Sequence, residues 1–257
     1  MKKTLLATAL FAGLAITGTA NAYQTEVGGS YSYLDPDHGD GVSQFGVNGT
    51  YYFNPVQTRN APLAEAAFLD RASNVNAQAN YGHNNGVKNS TYGIGGEYYV
   101  PNSDFYLGGN VARNEIKLDH SSAEKKTTLY SAEVGYLPAP GLLVAVGAQG
   151  YDTKNGDDGV DPTLRAKYVT QVGQHDVNLE ARGVFGSDNN KQYYVGGDYY
   201  IDKTLSVGAD YTKDKSIDQN QWGLTAKKFF NENLSVDGRL GFGDDYNTYT
   251  VGASYRF

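Results

Sequence analysis

Three features of the sequence predict an all-β fold: a closed antiparallel transmembrane β-barrel of about 14 strands, with up-and-down topology and a polar lumen. The chain is a succession of runs of about 9 to 12 residues in which apolar and polar side chains alternate, separated by short clusters of Gly, Pro, Asn and Asp, as barrel strands require. It pairs 22 tyrosines and 32 glycines with one methionine, one tryptophan and a mean hydropathy of −0.51. That mixture suits a wall whose alternate residues meet lipid while the others meet water. The last residues, NTYTVGASYRF (residues 247–257), put Tyr249, Val251, Ala253, Tyr255 and Phe257 on one face and Thr248, Thr250, Gly252, Ser254 and Arg256 on the other. The second face is too polar for a packed core, so one side of this strand meets lipid and the other meets water.

The strands follow in order. Residues 24–34 place Val27, Gly29, Tyr31 and Tyr33 toward lipid, and residues 42–53 place Phe45, Val47, Tyr51 and Phe53 outward with Gln44, Asn48 and Thr50 inward. Residues 73–82 separate Val75, Ala77, Ala79 and Tyr81 from Asn74, Asn76, Gln78 and Asn80; residues 90–100 separate Tyr92, Ile94 and Tyr98 from Gly93, Gly95 and Glu97. In residues 105–117, Phe105, Leu107 and Val111 share a face that Ile116 and Leu118 leave, so a bulge near Asn114 is expected. Residues 127–137 and 142–152 flank a tight turn at Pro138, Ala139, Pro140 and Gly141. Residues 163–170 and 176–186 turn Arg165, Lys167, Glu180 and Arg182 inward. The clearest hairpin joins 191–201 to 205–212 around Asp202, Lys203 and Thr204 and turns Asp198 and Asp210 inward. Residues 220–230 and 234–242 then lead into the closing strand.

Lys2 and Lys3, the apolar run 5–16 and Ala20, Asn21 and Ala22 have the three parts of a secretory leader, so the domains expected are a signal peptide, 1–22, and an outer-membrane barrel, 23–257. Loss of the two lysines takes the formal net charge from −7 to −9, which argues against nucleic acid as a partner. There is no cysteine, hence no disulfide framework or thiolate site. An even strand count puts both chain ends on one side, the periplasm of a bacterial barrel. The connections at 101–104, 138–141, 202–204 and 231–233 then lie in the periplasm, and the more acidic ones at 35–41, 119–126, 152–161, 213–219 and 243–245 lie outside. Tyr51, Phe53, Tyr98, Phe105, Tyr136, Tyr199 and Phe230 are expected at a periplasmic aromatic girdle.

One periplasmic connection, 54–72, is long. Its stretch APLAEAAFL (residues 61–69) reads as a short helix with Pro62 in the first turn and Leu63, Ala66, Ala67 and Phe68 on an apolar side. Pro62, Leu63, Glu65 and Phe68 belong either to a satellite helix under the barrel rim or to a plug folded into the lumen. At this turn the chain resembles the small putative general porins of gammaproteobacterial outer membranes. APLAEAAFLDRASNV (61–75) is similar to that family's long first periplasmic turn; LLVAVG (142–147), LRAKYV (164–169), LSVGADY (205–211) and the final SYRF are similar too. The resemblance implies a fourteen-stranded barrel that passes water and small solutes, in a family commonly linked to antibiotic uptake. The chain departs from the family in short connections at 231–233 and 243–246, so the way its pore is narrowed does not carry over.

The candidate pore-lining residues are Glu97, Glu133, Arg165, Lys167, Glu180, Arg182, Asp198, Asp210, Lys227, Asp237 and Arg239, with Glu26 and Arg256 also inward. Opposed charges in a narrow lumen set up a transverse field that sorts ions; the same charges also stiffen a wall by pairing across strands. His38, His83, His120 and His175 fall in expected connections, and Asp37, His38, Asp244 and Asp245 are the nearest approach to a rim hydrolase, a remote alternative because acid–base chemistry needs a geometry that spacing does not supply. The acidic stretches 35–41 and 152–161 lack the ligand spacing of a calcium loop. The GIGG stretch (93–96) does not open a helix and so is not a nucleotide loop.

The expected function is passive passage of water, ions and small hydrophilic solutes through a porin that is not an enzyme and uses no cofactor and no catalytic or metal site. A closed or nearly closed structural or adhesive outer-membrane barrel is the alternative. The expected partners are outer-membrane lipid and lipopolysaccharide, the barrel-assembly machinery through Phe257, and the solutes themselves. About fourteen strands give a backbone radius on the order of 14 Å. That leaves a modest aqueous lumen once inward side chains are subtracted.

Overall fold

The computed structural model describes residues 22–119, 124–187 and 190–257; the leader and its cleavage point fall largely outside them, as does His120. The strands are β1 (Ala22–Pro36), β2 (Val42–Gln57), β3 (Asn74–Asn84), β4 (Val87–Tyr99), β5 (Phe105–Leu118), β6 (Glu124–Ala139) and β7 (Leu142–Thr153). They continue as β8 (Asp158–Val172), β9 (His175–Phe185), β10 (Lys191–Asp202), β11 (Leu205–Asp214), β12 (Gln219–Phe229), β13 (Leu234–Gly243) and β14 (Tyr246–Arg256). Each pairs antiparallel with its sequence neighbours, and β14 pairs with β1 from Glu26 opposite Arg256 to Pro36 opposite Tyr246. Gln24 N–H donates to the Phe257 carbonyl at 2.7 Å and Phe257 N–H to the Thr25 carbonyl at 2.8 Å, so the terminal residue completes the seam. Closure satisfies the ladder without leaving an edge, which strand-built structures in lipid require. No described helix is long and apolar enough to cross a membrane.

The alternation sorts the side chains as expected. Tyr51, Phe53, Tyr98, Phe105, Tyr136, Tyr199 and Phe230 are all exposed on the outer surface, together with Val47, Ile94, Val134, Val146, Leu179, Val195 and Leu224. The hairpin turn at 202–204 is held by Asp202, whose carboxylate accepts from the Thr204 backbone N–H and hydroxyl at 2.6 Å each.

Several local expectations need correction. There is no bulge near Asn114: β5 pairs with β4 and β6 in unbroken register, with Asn114 opposite Thr91 and Thr127. The polarity of the strand changes instead. Arg113, Glu115 and Lys117 continue the outward face of Val111 and tie to one another through Glu115, at 3.3 Å and 3.0 Å, where the hairpin extends beyond the apolar band. Register shifts occur at Tyr23/Thr25, Tyr136/Ala139 and Tyr200/Asp202, next to turns or chain ends. The acidic stretch 152–161 is mostly strand, since β7 runs to Thr153 and β8 starts at Asp158. His83 lies within β3 and His175 begins β9, rather than in connections.

The long connection folds as a 3-10 turn, Leu63–Glu65, that runs into one α-helical turn, Ala66–Leu69 (α1). Its contacts are with inward-facing residues near the strand ends on the side of the β1–β14 chain ends. Ala66 joins Tyr23, Tyr52, Val56 and Ala72 in one buried cluster, with Ala67 against it, and Phe68 packs on a second cluster of Tyr99, Tyr106, Leu137 and Leu143. These two groups are the core of the molecule, and they sit inside the barrel rather than between layers.

Candidate functional site

The inward face carries the chemistry, because its side chains are held by wall on all sides. At its centre the Arg165 guanidinium on β8 stands among three carboxylates: Glu133 at 3.0 Å, Glu180 at 3.1 Å and Glu97 at 3.9 Å. The Tyr106 hydroxyl lies 2.9 Å from Glu97 Oε1 and 3.1 Å from Glu133 Oε1, sharing its proton between them. Asn74 Nδ2 donates to the other Glu97 oxygen at 3.1 Å. Six strands, β3 to β6 with β8 and β9, therefore supply one belt. It has three negative groups and one positive, and charge-assisted bonds of this kind fix side chains firmly.

The belt fits because glycines lie beneath it. A Cβ on Gly108 would stand 2.7 Å from the Tyr106 hydroxyl and 3.0 Å from Glu133 Cγ, so those side chains lie along the wall only where no side chain rises. Gly223 serves the Arg239–Asp210 ion pair in the same way, as a Cβ there would collide with both partners. Side chains laid flat on a glycine leave the middle of the barrel free.

The other expected residues are placed as follows. Arg182 donates to Gln149 at 3.0 Å and Asp198 accepts from Asn178 at 3.1 Å. Lys227 and Asp237 stand opposite in register, and both border a cavity of about 360 Å³ that also touches Glu65, Asp198 and Arg239. Cavities of about 330, 400 and 750 Å³ adjoin one another, and Arg182 borders all three. The largest reaches Lys125 and Tyr151 near the strand ends away from residues 54–72, the smallest the belt around Arg165.

Lys167 has a different partner. Its ammonium is 2.7 Å from Glu65 Oε2 and 4.8 Å from the Phe68 ring centroid, and the Tyr200 hydroxyl donates to Glu65 Oε1 at 2.7 Å. Glu65 is only 5% exposed. The Leu63 carbonyl accepts from Arg256 at 2.9 Å and its N–H donates to the Lys203 carbonyl at 2.9 Å. Arg256 also pairs with Glu26 at 2.7 Å and lies 4.5 Å from the ring centroids of both Tyr23 and Phe229. The connection thus bonds to β14 on one side and to β8 and β10 on the other. Pro62, buried, begins its 3-10 turn.

No cluster of His, Asp and Glu suited to a metal occurs among the described residues. At the rim, Asp37 N–H donates to the Asp245 carbonyl at 2.9 Å, so those connections are neighbours, but the Asp244 carboxylate is engaged by the Asn220 backbone and side-chain amides at 2.9 Å and 2.8 Å.

The model of a family described as putative general bacterial porins matches residues 1–161 and 153–257. The chain belongs to this family. Outer membrane protein Omp33 of Acinetobacter baumannii is 29% identical to the porin and superposes with a TM-score of 0.71, covering 93% of this chain and 100% of that one. CymD, a monoaromatic hydrocarbon channel, has a TM-score of 0.58 at 10% identity over 91% of this chain and 89% of its own, a likeness of fold alone. No curated protein matches the porin in sequence. Family and fold together make it an outer-membrane channel for small solutes, in contact with membrane lipid.

What the sequence reading missed in this porin is the apolar interior of its periplasmic end. Tyr52, Tyr99, Tyr106, Leu137, Leu143, Tyr200 and Phe229 face inward and are buried. The signal is present as doublets: Tyr51-Tyr52, Tyr98-Tyr99, Phe105-Tyr106, Tyr136-Leu137, Leu142-Leu143, Tyr199-Tyr200 and Phe229-Phe230. Successive strand residues point to opposite faces, so each doublet sends one apolar side chain to lipid and one to the inside. An inside that is apolar at one end needs a cover.

Proposed function

We propose that this porin is a narrow, passive channel for water, ions and small hydrophilic solutes, working without turnover or cofactor. The observation that carries the reading is the polar inward wall with its adjoining cavities, which runs from the external strand ends to the belt at Arg165. In this reading Glu97, Glu133, Arg165, Lys167, Glu180, Arg182, Asp198, Asp210, Lys227, Asp237 and Arg239 line the pore. Three carboxylates against one guanidinium favour cations at the level of Arg165. The segment 54–72 acts as a plug across the periplasmic half, a role supported by its bonds to Lys167, Tyr200, Lys203 and Arg256. The leader 1–22 is removed on export to leave the barrel 23–257, Phe257 presents the closing strand to the assembly machinery, and lipopolysaccharide surrounds the external half.

The test is conductance of the purified porin in planar bilayers, with swelling of liposomes in small sugars and amino acids. The parent is expected to conduct weakly and the form lacking residues 61–69 clearly more. The reversal potential in a salt gradient should show cation preference, increased by Arg165→Gln. If neither form conducts above the bare bilayer and no liposome swells, a closed structural or adhesive barrel replaces this reading.

A further inference from the structure

Outside the lumen, three lysines at one end of the wall have no carboxylate within ion-pair distance among the described residues. On the outer face the side chains of β10 run, from the external end inward, Lys191, Tyr193, Val195; those of β11 run Lys213, Tyr211, Ala209, with Lys215 just beyond the strand. They share the face of Val195, which is 53% exposed, whereas Asp198 and Asp210 point inward. Lys213 is opposite Tyr193, and Lys215 N–H donates to the Lys191 carbonyl at 2.9 Å, so three ammonium groups occupy one small area.

The contrast with β4 to β6 at the same end of the barrel is informative. There the outward bases are neutralised: Lys88 by Asp119, Arg113 and Lys117 by Glu115, and Lys126 by Glu124 at 2.7 Å. Among the described residues no carboxylate lies within ion-pair distance of Lys191, Lys213 or Lys215, in a chain whose formal net charge is −7. Lys213 donates to Asn220 Oδ1 at 3.1 Å and Lys215 stands 5.8 Å from the Tyr193 ring centroid. Below the lysines lies an aromatic row. Phe185 and Tyr193 are 6.0 Å apart between centroids, Tyr211 and Trp222 are 4.6 Å apart, and Trp222 is 62% exposed. Rings of this kind mark headgroup depth in a bilayer.

We propose that Lys191, Lys213 and Lys215 form a docking site for the phosphates of lipid A in the outer leaflet, with its acyl chains against Tyr193, Tyr211, Trp222 and Val195. Ammonium groups that have no carboxylate partner among the described residues, directly above an apolar wall, fit an anion that is joined to hydrocarbon. A soluble anion would have no use for the wall. Attraction of this type is strong per lysine near a charged membrane surface and fades beyond a Debye length, which limits the partner to lipid touching the barrel. The inference rests on the outer-membrane setting and is independent of conduction.

Trp222 is the only tryptophan and lies beside the site, so its fluorescence reports occupancy. The porin in detergent micelles is titrated with diphosphoryl lipid A, with lipid A stripped of both phosphates, and with inorganic phosphate. A saturable change is expected with diphosphoryl lipid A alone. In the K191Q/K213Q/K215Q variant the midpoint should rise by about tenfold or more; in K88Q/K117Q, with two lysines lost elsewhere, it should move little. Heat-modifiable migration and strand-rich circular dichroism check that each variant is folded, and single substitutions replace the triple if it is not. Equal midpoints for parent and triple variant, or an equal response to dephosphorylated lipid A, overturn the site. Saturation by inorganic phosphate alone would make it a free-anion site and overturn the lipid assignment. A parent that binds lipid A as expected but does not conduct would defeat the channel reading and leave this one standing.

Discussion

Replacing Glu65 by glutamine tests whether the inner segment is held shut by charge. The Glu65 and Lys167 side chains are 6% and 15% exposed, so the pair is close to fully removed from water. Breaking a buried pair by removing one partner costs about 3–5 kcal/mol, because the remaining charge is stranded. The substituted amide would keep an acceptor for the Tyr200 hydroxyl, which reduces the loss to about 2–3 kcal/mol. At 1.4 kcal/mol per tenfold, the ratio of unseated to seated segment rises roughly 30- to 150-fold. In single-channel recordings E65Q should therefore show more frequent and longer high-conductance events than the parent, approaching the form lacking residues 61–69. The double variant E65L/K167M removes both charges and should return toward the parent, since replacing a buried pair by apolar groups is close to neutral. If E65Q retains heat-modifiable migration yet records like the parent, the carboxylate does not hold the segment.

Further outcomes follow from the wall. Ala209→Arg, on the outer face between the Tyr211 and Val207 levels, should cost about 2–4 kcal/mol in refolding titrations, whereas Val207→Arg, opposite Tyr199 at the aromatic girdle, should cost about 0–1 kcal/mol; equal costs would refute the depth assignment. Gly223→Val should push the Asp210–Arg239 pair off the wall into the lumen and lower conductance below the parent's, and unchanged conductance in a folded barrel would contradict the role given to that glycine. The Asp202 carboxyl in the β10–β11 turn is held below its ordinary 3.8 by the Thr204 hydroxyl and backbone N–H. A depressed folded value means that the turn's support is complete above the ordinary pKa and is lost as pH falls through the lower one, so the turn is insensitive to pH from about 5 to 8. A carboxyl NMR titration of Asp202 in micelles should give a midpoint under 3.8.

The barrel was legible because its two solvents write alternation into every strand, and hairpin order leaves few topologies. The inward register of Glu97, Glu133, Arg165, Glu180, Asp198, Asp210 and Arg239 follows from the same period of two. What period alone does not give is which of these meet, since Arg165 collects carboxylates from β4, β6 and β9 and Asp210 reaches Arg239 past Gly223. The bulge expected near Asn114 arose from treating all of β5 as lipid-facing, when its external third lies beyond the apolar band and its polarity rule changes there. The seating of residues 54–72 was harder still. Its anchors are 135 residues away at Tyr200 and 193 away at Arg256, beyond any local pattern, although the aromatic doublets along the periplasmic strand ends record its presence indirectly.

The seam between β1 and β14 has a consequence for engineering. Since Gln24 and Phe257 are hydrogen-bonded at 2.7 Å, the barrel is a ring interrupted at one point, and the position of that gap is a matter of synthesis rather than of architecture. A few glycines and serines would join the ends, and new termini could be opened in a short turn such as 202–204. A permuted chain of this kind would still close, but would present a different strand last, which tests the assembly role proposed for Phe257 apart from the geometry of the finished wall.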